Sequence, residues 1–192
     1  MLMFLLWLGI ASAHDANLTT FHVRQEPPVW WLEVMFPAVS SEMELQRQEP
    51  GRDLATVSDD AYKRRVIAHV KDTVHLSANG RPLTLGSGGI KLGGHQSTIK
   101  LMLEGMPADL TRLEAEVSTF SGNTGQHNLV RLIRGERRDR VILNHRNGFS
   151  GVVWQDRPPT RGPRAWVAAS LLGPFFLGMS ALAWSRRNRS SP

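Results

Sequence analysis

The chain has 192 residues, no cysteine and a formal net charge of +6. The missing thiols exclude disulfide staples, cysteine catalysis and Cys-based metal sites. Three of the 23 Lys and Arg residues stand in the last eight positions. The rest carries 20 against 17 acidic residues, a net +3, with the charges interspersed and none of the basic striping that nucleic-acid binding requires.

Residues 1–13, MLMFLLWLGIASA, read as a signal peptide. The run is apolar but far short of the roughly 20 residues a permanent span needs, and Ala11-Ser12-Ala13 is an A-x-A cleavage site. The charged flank is reduced to the α-amino group. Cleavage there makes His14 the mature N-terminus.

The exported part, 14–154, reads as mainly β. Residues 16–26 alternate loosely and Pro27-Pro28 interrupts them. Residues 29–36 carry the strongest strand signal, with Trp30, Leu32, Val34 and Phe36 on one face that should be core. Ser40 to Thr56 is polar and poorly patterned. Ser58 is a candidate helix cap, and Asp59, Asp60, Tyr62, Val66, His69 and Val70 predict one helix over 59–71. Asn79-Gly80 between apolar segments predicts a hairpin. Five glycines within 86–94 lack the Gly-Lys-Ser/Thr and βαβ setting of a phosphate loop, so a flexible inter-strand loop is expected. Strands then follow over 97–104, 110–120, 128–133, 140–144 and 149–154. Eight or nine short strands with one helix predict an antiparallel, immunoglobulin-like β-sandwich.

Residues 155–164 are a Pro-rich linker. Residues 165–184 carry no charge over 20 positions, about 30 Å of helix, which predicts a single transmembrane helix. Trp166 and Trp184 flank it at headgroup level. Export of the N-terminal part leaves 185–192, SRRNRSSP, as a cytoplasmic tail.

The order of these pieces, with Asn79-Gly80-Arg81-Pro82-Leu83 and His127-Asn128-Leu129-Val130-Arg131-Leu132-Ile133-Arg134-Gly135, resembles the extracytoplasmic domain of HupE/UreJ-like bacterial membrane proteins. The resemblance covers most of residues 14–154. It implies an exported β-domain in an accessory role beside a membrane partner, in a family linked to nickel or cobalt handling. The His- and Asp-bearing membrane segments tied to transport have no counterpart in this sequence, so transport is not implied.

One residue suggests metal chemistry. At the mature N-terminus the His14 amine and imidazole can chelate one ion, copper or nickel, with a second imidazole from His22, His69, His75, His95, His127 or His145 completing the site. No G-x-S-x-G, S-x-x-K or H-E-x-x-H occurs, so no hydrolase machinery is legible. The sequence therefore points to a non-enzymatic, membrane-anchored periplasmic domain whose partners are the lipid bilayer and a membrane protein. The alternative is an exported copper- or nickel-binding protein that uses His14.

Overall fold

The computed structural model describes residues 17–156. Residues 1–16, which include the expected signal peptide and His14, and everything from residue 157 onward, which includes most of the expected linker, membrane helix and tail, lie outside the described residues. Among the described residues, no helix is long and apolar enough to cross a membrane.

The chain opens with β1 (Leu18–Glu26) and β2 (Val29–Pro37). A two-residue turn with a cis Pro27–Pro28 peptide places Glu26 opposite Val29. Helix α1 (Ala38–Gln48), a 3-10 turn (Leu54–Thr56) and helix α2 (Asp59–Thr73) follow. Strands β3 (Val74–Ala78) and β4 (Arg81–Pro82) form the expected hairpin. Asn79 and Gly80 both adopt positive φ, 52° and 76°, the geometry of a type I′ turn, which Asn-Gly tolerates best. The rest is β5 (Thr84–Lys91), β6 (Gln96–Glu104), β7 (Arg112–Val117), β8 (His127–Arg134), β9 (Arg137–Leu143), a 3-10 turn (His145–Asn147) and β10 (Ser150–Gln155).

The strands form a six-stranded sheet, β5-β6-β2-β1-β8-β9, and a four-stranded sheet, β10-β7-β3-β4. Inward residues of both sheets share one apolar core: Phe21, Leu32, Val34, Phe36, Ile99, Leu101, Leu113 and Val117 are all buried. Their period-two spacing is what puts them on one face, and each such side chain contributes about 1.5–3 kcal/mol on leaving water. The fold is thus mainly β and sandwich-like, as expected, and its core closes within residues 17–156.

Four expectations need correction. There are two α-helices rather than one, because α1 occupies the stretch read as unpatterned. Its buried residues are Ser40, Ser41, Glu44 and Leu45, and no side chain caps its N-terminus, so neither apolar periodicity nor a cap announces it. The glycine-rich segment is edge strand β5 rather than a loop. A Cβ on Gly88 would collide with the Lys100 carbonyl and Leu101 of β6, and one on Gly86 with the Glu104 side chain. Glycine is what lets the two strands approach across the bulge between Leu85 and Gly88. The pairing is not wholly antiparallel, since β1 runs parallel to β8 with Phe21 opposite Val130. Finally, Trp30 sits on the inward face but only half-buried against the core, whereas Leu32, Val34 and Phe36 behind it are fully enclosed.

A buried polar lock joins the two sheets. Asn128, at the start of β8, donates to the carbonyls of Val117 (2.8 Å), the last residue of β7, and of Thr119 (3.0 Å) just beyond it. Gln126 donates to Asn128 Oδ1 (2.8 Å) and Thr19 Oγ1 (3.0 Å). All three side chains are buried, so these bonds replace lost water for the donors and the carbonyls, while Gln126 Oε1 is buried without a partner.

Candidate functional site

Helices α1 and α2 and the loop from Ser118 to Gln126 form a cap built on different terms from the sandwich. Ser58 starts α2 by accepting from the Ala61 amide, with Asp59 and Asp60 in the first turn. Glu49, at the end of α1, bridges Arg52 (2.7 Å) and Arg65 of α2 (2.9 Å). Ser41 of α1 and Tyr62 of α2 share a hydrogen bond of 2.8 Å. Burial pushes the Tyr62 phenol above its ordinary value, so it is neutral at physiological pH.

Beneath this lies a compact charged cluster. The Glu44 side chain is 2 % exposed and takes bonds from Arg47 (2.5 Å) and from Gln48 (2.9 Å). Arg47 reaches across the loop because residue 122 is glycine, where a Cβ would strike its guanidinium. His69 of α2 brings Nε2 to 4.0 Å from Glu44 Oε1. The Gln48 side-chain amide stands 3.0 Å from its Nδ1 and the Phe120 backbone amide 3.4 Å from its Nε2. A neutral imidazole has one acceptor nitrogen, so the two amides compete for it and neither favours a protonated ring. Burial lowers the His69 pKa, opposed by the Glu44 charge.

Phe120 stacks on His69 at 5.5 Å and packs on Phe36 at 5.2 Å, and it does so with φ of 58°. A left-handed backbone at an aromatic residue costs roughly 1–3 kcal/mol and persists only where the surroundings enforce it. Here the buried Phe36 contact and the Thr73–Thr119 hydroxyl bond (2.8 Å) hold it.

The cluster resembles an acid–base pair, and Thr73, Ser118 and Ser121 line the same pocket. Among the described residues the hydrogen-bond partners of the His69 ring are amides, and the Thr73 hydroxyl bonds the His69 backbone carbonyl instead. Its contacts join α1, α2 and the loop.

On the outer side of the same helices runs an open groove of about 920 Å³. Met43, Pro50, Leu54, Ala55 and Tyr62 form its apolar lining, with Glu42, Gln46 and Arg47 at the rim. Met43 is 52 % exposed, and Val39, one helical turn earlier on α1, is 44 % exposed. Two large apolar side chains at that exposure on one turn leave a face suited to receiving another apolar segment.

His14 lies outside the described residues. The histidines named as its possible partners are dispersed. His22 lies on β1, His69 in the cap, His75 on β3, His95 between β5 and β6, His127 at the start of β8, and His145 in the last 3-10 turn. Among the described residues, no group of three His, Cys, Asp or Glu side chains could hold a metal ion.

Sequence reasoning missed the groove and the Glu44–His69 cluster because both depend on α1. The signal that was present is the Val39/Met43 spacing, set in a run rich in helix-forming Glu, Met, Leu, Gln and Arg. It also missed the second task of Asn79, whose side chain accepts from the Thr111 and Arg112 amides (2.8 and 2.9 Å) and donates to the Asp109 carbonyl (2.9 Å). The chain matches no protein-family model and no curated protein sequence.

Proposed function

We propose that this chain is a non-enzymatic, membrane-tethered accessory domain that holds a membrane-protein partner through the groove between α1 and α2. The observation that carries the reading is the groove itself: Met43 of α1, Leu54 of the 3-10 turn and Tyr62 of α2 present apolar surface in one open cleft. That is the equipment of a binding module rather than of an enzyme.

The wider reading rests on sequence. We take the two packed sheets as an immunoglobulin-like sandwich that follows a signal peptide (1–13), stands in the periplasm, and is anchored by a single span (165–184) with the C-terminus in the cytoplasm. The resemblance to HupE/UreJ-like proteins supports placing the domain beside a membrane partner and, more distantly, in metal handling. A short tether raises the effective concentration of such a partner toward the millimolar range, so the groove can work with modest intrinsic affinity.

A photocrosslinking amino acid at Met43 tests the groove in intact cells, with Glu116, exposed on β7, as the off-site control. One defined membrane protein captured from Met43 and not from Glu116 is the expected result. Identical captures from both positions would remove the groove from the account. The copper or nickel reading is separated by thermal melts of protein beginning at His14. A native-state site at about 100-fold excess of metal over Kd adds about 2.7 kcal/mol. We expect no such gain, and one that disappears in His14→Ala would promote the metal reading.

A further inference from the structure

The face of the six-stranded sheet turned away from the core carries three side-chain rows fixed by register. The central row runs Lys100, Glu33, His22, Arg131, Arg140 across β6, β2, β1, β8 and β9. Its first half is balanced: Glu33 pairs with Arg24 (3.0 Å), and Lys100 pairs with Glu26 (2.8 Å) and lies over the Trp31 ring at 4.5 Å.

Its second half is not balanced. Arg131 stands directly opposite Arg140, and Arg138 follows two residues from Arg140 on the same face, about 7 Å along the strand. None of the three makes an ion pair among the described residues. The acids of this hairpin are elsewhere. Glu136 is in the turn, and Asp139, 3.3 Å from Arg137, belongs by alternation to the inner face. Like charges directly opposite on a sheet cost stability. The uncompensated field also registers at the neighbouring position: burial first, then the Arg131 charge, holds His22 below its ordinary value against the pull of Glu33.

Apolar groups interleave with these cations. Leu129 and Ile142 are opposed in the adjoining row, with Ile142 53 % exposed, and Ile133 opposes Arg138 in the other. Guanidinium groups set among Trp31, Ile133 and Ile142 on one sheet face suit a broad, anionic, partly apolar surface.

We propose that this face, centred on Arg131, Arg138 and Arg140, docks on an anionic phospholipid bilayer. The inference deepens the tethered reading and rests on it for the location of the bilayer. A linker of about ten residues reaches at most roughly 35 Å, which keeps the domain within contact distance of headgroups. The groove of α1 and α2 belongs to the cap rather than to this face, so docking leaves it free for a partner.

Residues 14–156, which contain the whole core, are tested by co-sedimentation with vesicles of equimolar phosphatidylglycerol and phosphatidylcholine, and with vesicles of phosphatidylcholine alone. The expected result is binding to the anionic vesicles only, weakening as salt rises. Arg131→Gln with Arg140→Gln should lower the partition coefficient about twenty-fivefold, roughly fivefold for each cation near the leaflet. The thermal midpoint of that double variant should hold or rise because a repulsive pair is gone, whereas a purely structural role would lower it. Equal binding to neutral vesicles, or wild-type partition of the double variant, would overturn the proposal. Binding to polyglutamate with none to anionic vesicles would overturn it too, and would assign the face to an acidic protein. The assay omits residues 157–192, so its failure leaves the tether standing, and a failed tether leaves this result intact.

Discussion

In the sandwich, Leu32, Val34, Phe36, Ile99 and Leu101 are buried and apolar; in the helical cap, the buried residues of α1 are Ser40, Ser41, Glu44 and Leu45. The first region is held by burial of apolar area, which is insensitive to pH and severe toward cavities. The second adds to a smaller apolar contribution from Leu45, Val66, Val70 and Phe120 a set of polar contacts: Glu44 with Arg47 and Gln48, Ser41 with Tyr62, Glu49 with Arg65, and Asn123 donating to the Ser40 carbonyl (3.2 Å). Polar contacts of this kind contribute about 0.5–1.5 kcal/mol each, more for charged ones. The cap should therefore open at lower free energy than the sandwich, and it is where the exposed apolar groove lies. A binding surface placed on the less stable part of a rigid scaffold can adjust to its partner while the core does not.

Substitutions in the two regions should fail differently. Phe36→Ala should cost about 3–5 kcal/mol in urea unfolding, because it empties the fully buried space beneath Phe120. A loss below about 1 kcal/mol would mean that the end of the core under the cap repacks freely. Asn128→Ala should cost about 3 kcal/mol by leaving the Val117 and Thr119 carbonyls buried without donors. An unchanged midpoint would remove the polar lock from the account.

Glu44→Ala sharpens the comparison by striking the cap alone. It should lower global stability by about 2 kcal/mol or less, yet speed hydrogen exchange selectively in α1 and the 118–126 loop. Uniform acceleration across β2 and β6 would show that cap and sandwich open as one unit. The smallest effect concerns pH. His69 and His22 both have pKa values lowered by burial from 6.5. The unfolded chain takes up these protons first, so their contribution is complete above about 6.5 and is lost as pH falls through that value toward the folded ones. His69→Gln should reduce the loss between about pH 7 and pH 5 relative to wild type, and an identical profile would contradict the assignment.

The sandwich was legible in the sequence for the same reason that it is stable. Period-two alternation in 29–36 and 97–104 is a direct imprint of one buried face, and Asn79-Gly80 names its own turn. The cap was half legible. α2 has Ser58, Asp59 and Asp60 at its start and Val66 and Val70 buried, whereas α1 buries hydroxyls and a carboxylate and reads as a polar loop. β5 was masked because its glycines serve close approach to β6 rather than flexibility. Parts of the strings that carry the family resemblance have structural duties: Asn79 makes the turn, Asn128 locks the sheets, and Gly135 turns β8 into β9 with φ of 59°. Those duties would favour the same letters whatever the domain binds.

If a folded domain is held at a membrane from outside the cytoplasm, as proposed, cell fractionation will reveal it. The full chain and a chain ending at residue 164 are expressed with the native leader, and membranes are washed with alkaline carbonate. The full chain should stay in the washed membrane, with its domain cleaved by protease added to spheroplasts, and the shortened chain should be released into the periplasm. Full-length protein in the soluble fraction, or a domain that external protease cannot reach, would contradict it.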